Sequence, residues 1–353
     1  MDSQKQAHKV DARADQLHIW AQQQLPSEQQ EMHWQPLAGD ASLRRYFRLI
    51  TTTHRYIAVD APNTSENNTA FIAIAEALQA CHVKTPIIFS KDYDHGFLLI
   101  EDFGDQLLSQ YLTADQVDHY YRQAYAELIK IQQVATEHFP AAYELPEYDR
   151  ARLRAEMNLF HEWFIAVYLD YQLDDAEQYL LEMVYGYLEE NALMQPYCFV
   201  HRDYHSRNIM LLSSGELGII DFQDGVWGPV TYDLVSLLRD CYVKWPKAQV
   251  EAWALGFAQQ KGLLAEVDSQ RWLGWFNGMG LQRHIKVAGI FARLYLRDQK
   301  SGYLPDIPRV MQYILEVASE DIALTLFVDW LKEKIIPRYC AVYPQAASWF
   351  HTL

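Results

Sequence analysis

The hydrophobic pattern of the chain changes near residue 107, and this change limits the class of fold that the chain can adopt. Between residues 33 and 104, short apolar runs of β type alternate with turn residues, and one helical stretch, residues 68–82, lies among them. After residue 107, apolar residues recur at helical spacing over most of the chain. We therefore predict an α+β fold in which a small antiparallel sheet precedes a mainly helical part.

Three antiparallel strands are predicted in residues 33–62, and two more in residues 83–104. Other predicted helices cover residues 11–30, 114–136, 150–168, 174–192, 230–243, 247–260, 268–297 and 308–334. Residues 196–203 and 208–224 interrupt the later helices, and the second of these segments has the turn signal of a hairpin. A chain of 353 residues is long for one core, which favours two lobes.

The charge of the chain excludes several classes of partner. It has 30 Lys+Arg against 46 Asp+Glu, a formal charge of -16, which repels nucleic acid and anionic lipid at long range. The four cysteines form no CxxC pair, and the first twenty residues contain no apolar leader segment. We expect a monomeric cytoplasmic protein that acts on small molecules, with neither nucleic acid nor membrane as a partner.

A cluster of polar residues interrupts the apolar run near residue 200. His201, Asp203 and Asn208 fall within eight positions, and Asp221 follows Asn208 by thirteen positions, across the predicted hairpin. Phosphoryl transfer needs a carboxylate near the acceptor hydroxyl and oxygen ligands for Mg²⁺. Each residue alone could simply cap a turn, but their order on strand, loop and hairpin favours phosphoryl transfer. A metal hydrolase fits less well, because His201 and His205 lie on a loop and not on an H-E-x-x-H helix.

Four segments together resemble a known superfamily: the loop VHRDYHSRN, the block WGPVTYDLVSLLRDCY, the opening LAGDASLRRYFRL and the later LQRHIKVAGIFARL. They are similar to the aminoglycoside phosphotransferase/choline kinase superfamily, and within it to the amino-sugar kinases of cell-wall recycling. Those enzymes phosphorylate the anomeric hydroxyl of N-acetylmuramate and N-acetylglucosamine. The resemblance runs from about residue 30 to about residue 335. It implies a protein-kinase-like bilobal fold with ATP and Mg²⁺ as cofactors and an amino sugar as acceptor.

The resemblance also implies a division of the chain and the roles of its loop residues. Residues 1–30 would form an N-terminal helix, residues 31–103 the nucleotide-binding lobe and residues 104–353 the helical lobe. Asp203 would be the catalytic carboxylate, braced by His201 and by Asp233. Asn208 and Asp221 would be the Mg²⁺ ligands.

The nucleotide site implied by the resemblance contains one departure from the family pattern. Backbone groups of Glu101 and Phe103 would contact adenine, and the turn from Gly39 to Ser42 would cover the phosphates. The third strand, RYIAVDAP, contains Asp60 and lacks the lysine that binds phosphate in kinase-like folds. Arg44, Arg45 and Arg48 are the local substitutes, with Arg44 and Arg48 on one strand face and Arg45 on the other. The alternative is that these arginines simply face solvent.

The acceptor site is predicted from cations on the helix at residues 268–297. At about 100° per residue, Arg283, Lys286, Arg293 and Arg297 fall within roughly an 80° sector of that helix. They could bind a sugar-borne carboxylate or a nucleotide phosphate, and Arg283 and Arg293 are the selected candidates. Ion pairing with the surplus carboxylates of the chain is the alternative role for this stripe.

Polar residues elsewhere complete the predicted acceptor site. Glu156 is the candidate hydrogen-bond acceptor for sugar hydroxyls, whereas the nearby Phe160 and Trp163 fit a helix core better. His205, Arg207 and Asp224 are further substrate-binding candidates because they lie beside the catalytic and metal residues in sequence.

Two other functions compete with the amino-sugar kinase. One is a kinase of aminoglycosides, choline or another small alcohol, for which a cationic acceptor would require an acidic site. The other is a pseudokinase, a binding module that kept the fold after losing the third-strand lysine. A protein kinase fits poorly, since no A-P-E motif follows Asp221.

Overall fold

The computed structural model describes residues 11–26, 29, 32–37, 44–62 and 67–351. Within them, five antiparallel strands form one sheet in the order β1-β2-β3-β5-β4. The strands are β1 His33–Leu37, β2 Arg45–Ile50, β3 Arg55–Asp60, β4 Ile88–Asp92 and β5 Phe97–Glu101. All five occur where the alternating pattern predicts them.

The two faces of this sheet follow from the alternation of side chains along β3. Ile57 and Val59 face helix α2, Asn68–Ala80, and join the main hydrophobic core. Ala58 lies on the opposite face and packs in a second core beneath helix α1, Ala12–Gln24. The sheet therefore separates α1 on its outer face from α2 on the face toward the rest of the chain.

The remainder of the described chain is mainly helical, as the periodicity predicts. Its α-helices are α3 Val117–Ile131, α4 Arg150–Leu159, α5 Asp175–Leu193, α6 Tyr232–Leu238, α7 Lys247–Lys261, α8 Ser269–Asp298, α9 Ile307–Ala318, α10 Thr325–Trp330 and α11 Ile336–Val342. Helix α4 continues as a π-helix, Phe160–Tyr168, and α10 continues as another, Leu331–Ile335. Helix α8 lies at the centre of this part, and its middle is buried on all sides.

Two helices predicted as continuous end early in the structure. The helix predicted at 308–334 breaks after Ala318, because the side chain of Asp321 accepts a hydrogen bond from the Ala323 backbone N–H and starts a new turn. The helix predicted at 230–243 stops at Leu238, since Asp240 accepts from the Tyr242 N–H in a local turn. In both places an aspartate competes for backbone groups that a helix would use.

Four short strands lie within the helical part. Strands β7 Ile209–Leu211 and β8 Leu217–Ile219 form the predicted hairpin. Strand β6 Tyr197–Val200 pairs with β9 Val226–Pro229, which the sequence pattern did not reveal. The polar cluster lies between β6 and β7, and Asp221 lies between β8 and β9. Both are therefore held at the ends of strands.

Two contacts fasten the sheet to the helical part. The Ile219 N–H donates to the Lys84 carbonyl over 2.8 Å, and the Phe103 side chain lies on Gly218. A Cβ at Gly218 would come within 2.6 Å of the Phe103 ring, so the close approach requires glycine. We call the region between the two parts, where Phe103 lies on Gly218 and the loop of residues 201–208 leads into β7, the cleft. Across the described ranges, no helix combines the length and apolarity needed to span a membrane.

Candidate active site

The loop after β6 and the loop after β8 meet at one amide group. Nδ2 of Asn208 donates to the Asp203 carbonyl over 3.0 Å and to Oδ2 of Asp221 over 3.2 Å. Asp221 has a φ of +64°, a strained conformation for a non-glycine residue. The structure thus brings together Asp203, Asn208 and Asp221, which sequence analysis predicts as one site.

Asp203 is half-buried and surrounded by cations. Burial alone would raise the pKa of the Asp203 carboxyl, but Lys286, followed by Arg283, lowers it to about 2. The carboxylate therefore stays ionised throughout the neutral range, where it can accept a hydrogen bond from an acceptor hydroxyl.

His201 and Asp233 lie beneath the loop and are fully buried. Oδ2 and Oδ1 of Asp233 accept from the backbone N–H groups of His201 and Arg202 over 2.7 and 3.0 Å. His201 Nε2 lies 3.0 Å from the Ile220 carbonyl oxygen, and the Asp203 N–H donates to His201 Nδ1 over 3.2 Å. Burial lowers the pKa of His201 to about 4, so the ring is neutral, and these contacts suit a brace for the loop.

The Asp221 and Asn208 side chains fit a divalent cation. Within the described ranges, no Lys, Arg or His forms an ion pair with Asp221, whose Oδ1 accepts from Gln223 Nε2 over 2.9 Å. Desolvation by the surrounding protein, together with the nearby Asp203, raises the pKa of Asp221. Carboxylate and amide oxygens are the ligands that Mg²⁺ prefers, and a bound cation would favour the ionised form of Asp221.

The predicted adenine contacts lie at the end of β5. The Glu101 N–H donates to the Ile87 carbonyl over 2.8 Å, and the Glu101 carboxylate binds Lys84 Nζ over 3.1 Å. The Glu101 N–H is therefore occupied within the protein, which leaves the Glu101 carbonyl and the Phe103 N–H as the candidate contacts for adenine. Gly39 and Ser42, predicted to cover the phosphates, lie outside the described residues.

The three arginines predicted near the phosphates have separate environments. Arg45 faces α1 and binds Asp60, with Nε 2.9 Å from Oδ2, so it lies on the sheet face away from the cleft. Arg48 is buried on the other face and binds Asp102 and Asp105 over 2.7 and 2.8 Å. Both guanidinium groups already neutralise carboxylates.

Of these three arginines, Arg44 is connected to the metal loop through two stacked rings. Its guanidinium lies 5.0 Å from the centre of the Phe71 ring, and Phe71 stacks on Phe222 with ring centroids 5.0 Å apart. Because Phe222 directly follows Asp221, this stack places Arg44 on the cleft side of α2.

The cationic stripe on α8 divides into two parts. Arg283 and Lys286 are buried beside the catalytic loop, where Arg283 Nη1 donates to the Arg202 carbonyl over 3.3 Å. Arg293 lies ten residues further on, about 15 Å along the helix axis, and Arg297 pairs with its neighbour Asp298. The structure therefore brings Arg283 to the candidate site but places Arg293 away from the loop.

The other predicted acceptor residues lie around Arg202. Glu156 binds Arg202 Nη2 over 2.5 Å, and the backbone carbonyl of the exposed Asp224 accepts from Arg202 Nη1 over 3.3 Å. On the far side of the loop, the His205 ring lies 5.6 Å from that of Tyr242, and the exposed Arg207 covers the same tyrosine at 3.4 Å. Glu156 is thus committed to a cation of the protein, whereas Arg207 and Asp224 border the solvent.

A family model described as "Phosphotransferase enzyme family" matches residues 33–275 of this chain. The chain belongs to this phosphotransferase family. A Pseudomonas putida protein named N-acetylmuramate/N-acetylglucosamine kinase is 39% identical over 87% of this chain and 92% of its own length. Proteins with the same name from Pseudomonas aeruginosa and Neisseria meningitidis are 37% and 34% identical, over 86% of this chain in each case.

Solved phosphotransferase structures share the fold. An ADP-bound aminoglycoside phosphotransferase aligns with a TM-score of 0.56 at 15% identity, over 87% of this chain and 99% of its own. A choline kinase from Streptococcus pneumoniae aligns with a TM-score of 0.60 at 14% identity, over 87% of this chain and 100% of its own. The bilobal, kinase-like α+β fold expected from the sequence is confirmed, and the protein is a kinase of this family.

Several residues that shape the phosphotransferase site were not selected from the sequence. Asp240 holds the loop by accepting from the Ser206 N–H over 3.0 Å, and Lys84 neutralises Glu101. Arg202 and Lys286 join Glu156 across more than forty residues of chain, a separation that no local motif reveals. The available signals were the position of Arg202, between His201 and Asp203, and the place of Lys286 in the cationic stripe of the helix at 268–297.

Proposed function

We propose that this phosphotransferase uses ATP and Mg²⁺ to phosphorylate the anomeric hydroxyl of N-acetylmuramate or N-acetylglucosamine. The observation that carries the substrate assignment is the 39% identity to a protein of that name over 87% of this chain. The convergence of Asp203 and Asp221 on Asn208 supports a working kinase site.

The chemistry follows from the position of Asp203. In a loose phosphoryl-transfer transition state little proton removal is needed early, so Asp203 orients the hydroxyl and accepts its proton late. A carboxyl group whose pKa is about 2 is a weak base, and orientation is therefore its larger contribution. Asn208 and Asp221 would hold Mg²⁺, which, when bound, neutralises charge on the phosphates.

The environment of Asp203 argues against a cationic acceptor. Lys286, Arg283 and Arg202 surround the carboxylate and all act to lower its pKa. A choline or aminoglycoside ammonium group would meet this positive potential, whereas a neutral or anionic sugar would not. The pseudokinase alternative is disfavoured by the intact set of Asp203, Asn208 and Asp221.

An acceptor panel tests the proposal directly. The protein is incubated with ATP and Mg²⁺ together with N-acetylmuramate, N-acetylglucosamine, an aminoglycoside or choline, and the products are read by phosphorus NMR. A 1-phosphate signal on an amino sugar is the expected result. Product from only the aminoglycoside or choline would overturn the substrate assignment, and ATP binding without any product would favour the pseudokinase.

A further inference from the structure

Both the backbone and the guanidinium of Arg202 are held by polar contacts. Its N–H donates to Asp233, its carbonyl accepts from Arg283, and its guanidinium binds Glu156 and the Asp224 carbonyl. Its φ is +73°, a left-handed conformation that is unfavourable for an arginine and persists only where surrounding contacts enforce it. Because Asp203 is the next residue, the direction of its side chain depends on this enforced conformation.

Glu156 is the central carboxylate of these contacts. Oε1 lies 2.5 Å from Arg202 Nη2 and 3.0 Å from Lys286 Nζ, while Oε2 accepts from the Tyr148 hydroxyl. The Glu156 side chain is only 12% exposed and that of Lys286 only 8%. Both Glu156 oxygens are therefore occupied by groups of the protein, and little of the carboxylate is left for a sugar.

The position of Glu156 is fixed by a close contact between α4 and α8. A Cβ at Gly289 would lie 2.4 Å from the Leu159 carbonyl oxygen and 2.6 Å from the Phe160 nitrogen. Only glycine allows this approach, because the obstructing atoms are backbone. The contact lies one turn from Glu156 on α4 and one turn from Lys286 on α8, so it sets the register in which these side chains meet.

The charges of this cluster show what Glu156 balances. Lys286, Arg202 and Arg283 are three buried or half-buried cations, and Glu156 and Asp203 are carboxylates between them. Without Glu156, Arg202 and Lys286 would lose their shared anion and be drawn to Asp203, a carboxylate that acts electrostatically on both. The Asp203 carboxylate would then form an ion pair within the protein and would no longer be directed toward the acceptor hydroxyl.

We propose that Glu156 is a positioning residue, which acts through Arg202 and Lys286 to keep the Asp203 carboxylate directed into the cleft for the acceptor. This inference replaces a sugar-binding role for Glu156, and it rests on the proposed kinase function only in that Asp203 meets an acceptor hydroxyl.

The test separates positioning from sugar binding by kinetics. E156Q should lower kcat by roughly ten- to a hundredfold while the KM of the acceptor stays within about threefold, because a small misplacement of a reacting group affects the transition state. R202M should behave in the same way. E156Q/R202M should be no slower than the slower single variant, because both changes remove the same Glu156–Arg202 ion pair.

A matched control is an ion pair between α5 and the start of α4. Glu190 pairs with Arg150 on α4, is 61% exposed and does not touch the loop. E190Q therefore removes one of the two carboxylates that bind Arg150 of α4, the other being Glu189, and should leave kcat and KM at wild-type values. A loss of activity in E190Q equal to that in E156Q would show a general effect on α4 and overturn the proposal.

Other outcomes would also contradict the positioning role of Glu156. A rise of more than about tenfold in acceptor KM with kcat unchanged would assign Glu156 to sugar binding. Losses that multiply in the double variant would mean that Glu156 does not act through Arg202. If E156Q alone does not fold, E156Q/R202M removes the ion pair as a unit, and wild-type kcat in that variant would refute the role.

The outcome is independent of which acceptor is correct. The kinetics use whichever compound the wild-type protein phosphorylates in the panel. Failure of the amino-sugar assignment would therefore appear in the wild-type products, whereas failure of the positioning role would appear only in the variants.

Discussion

Phe71 of helix α2 stacks on Phe222, with ring centroids 5.0 Å apart and ring planes inclined by 24°. Phe222 follows the candidate metal ligand Asp221, so the stack connects a helix of the sheet lobe to the metal loop of the helical lobe. Both rings are buried. The position of the metal loop relative to the sheet lobe therefore depends on an apolar contact and not only on the polar residues of the candidate site.

Removal of this ring should impair nucleotide use as well as stability. We expect F71A to lower the free energy of unfolding by about 3–5 kcal/mol, as for other buried phenylalanines, and to raise the KM of ATP. F327A is the matched control, because Phe327 is fully buried in the helical lobe against Trp330. It should lose similar stability in urea unfolding while the KM of ATP is unchanged. Equal KM values in F71A and F327A would contradict the coupling.

Arg44, which precedes β2, and Arg45, which begins it, should respond differently to loss of charge. R44M should raise the KM of ATP by about tenfold or more, because a charge-assisted contact to phosphate would be lost. R45M should leave that KM unchanged but lower stability, since the buried Asp60 would lose one cation and be left, among the described residues, with Arg13. Steady-state kinetics and urea unfolding of both variants provide the measurement. An unchanged KM of ATP in R44M would remove Arg44 from the nucleotide site.

The catalytic loop could be predicted from the sequence because its parts are close in the chain. Asp203 and Asn208 are five residues apart, and the hairpin that brings Asp221 back has an obvious turn at Gly215. Local spacing and turn chemistry are therefore enough to assemble them. The sheet and most helices were predictable for the same reason, since each depends on its own periodicity.

The roles of the charged side chains could not be predicted in that way. Arg48 forms an ion pair with Asp105, 57 positions away in the chain, and Arg202 forms one with Glu156, 46 positions away. Neither pair therefore leaves a local signal in the sequence. A helical projection placed Arg283 and Arg293 in one stripe, but it contains no information on which turn of α8 adjoins the loop. The packing of α8 against α4 decides that, and it depends on Gly289.

Loss of the Asp203 carboxylate should stop the chemical step and spare binding. D203N keeps the shape of the side chain but cannot accept the acceptor proton, and we expect kcat to fall by about 10²- to 10⁴-fold. The dissociation constant of ATP, measured by calorimetry, should stay close to that of the wild type. Turnover near the wild-type rate would disprove the assignment of Asp203.

The metal assignment predicts a changed requirement for Mg²⁺. In D221N the concentration that gives half-maximal activity should rise by at least about tenfold, because a charged ligand is lost. D224N removes a carboxylate three residues away that borders the solvent, and it should leave that concentration unchanged. A chelator should abolish wild-type activity and added Mg²⁺ should restore it. An identical Mg²⁺ dependence in D221N and the wild type would exclude Asp221 as a ligand.

Acid should destabilise the protein through His284, which is fully buried in α8. Its Nε2 lies 3.0 Å from the Arg239 carbonyl, and its ring stacks on Tyr313 at 4.6 Å. Burial, together with the nearby Arg239 and Arg283, lowers the pKa of His284 from 6.5 to about 3. The unfolded chain therefore binds a proton that the folded protein does not bind between these pH values, so stability falls as the pH falls through this window.

The size of this effect can be isolated with a variant. Between pH 7 and pH 5 the His284 contribution to the free energy of unfolding should decrease by about 2 kcal/mol, from 1.36 kcal/mol per pKa unit. H284Q lacks the titrating ring, so its stability should decline by that much less over the same interval in urea unfolding. H119Q removes an exposed histidine, hydrated in both states, and should follow the wild type. Parallel declines in H284Q and the wild type would show that His284 does not control the acid sensitivity.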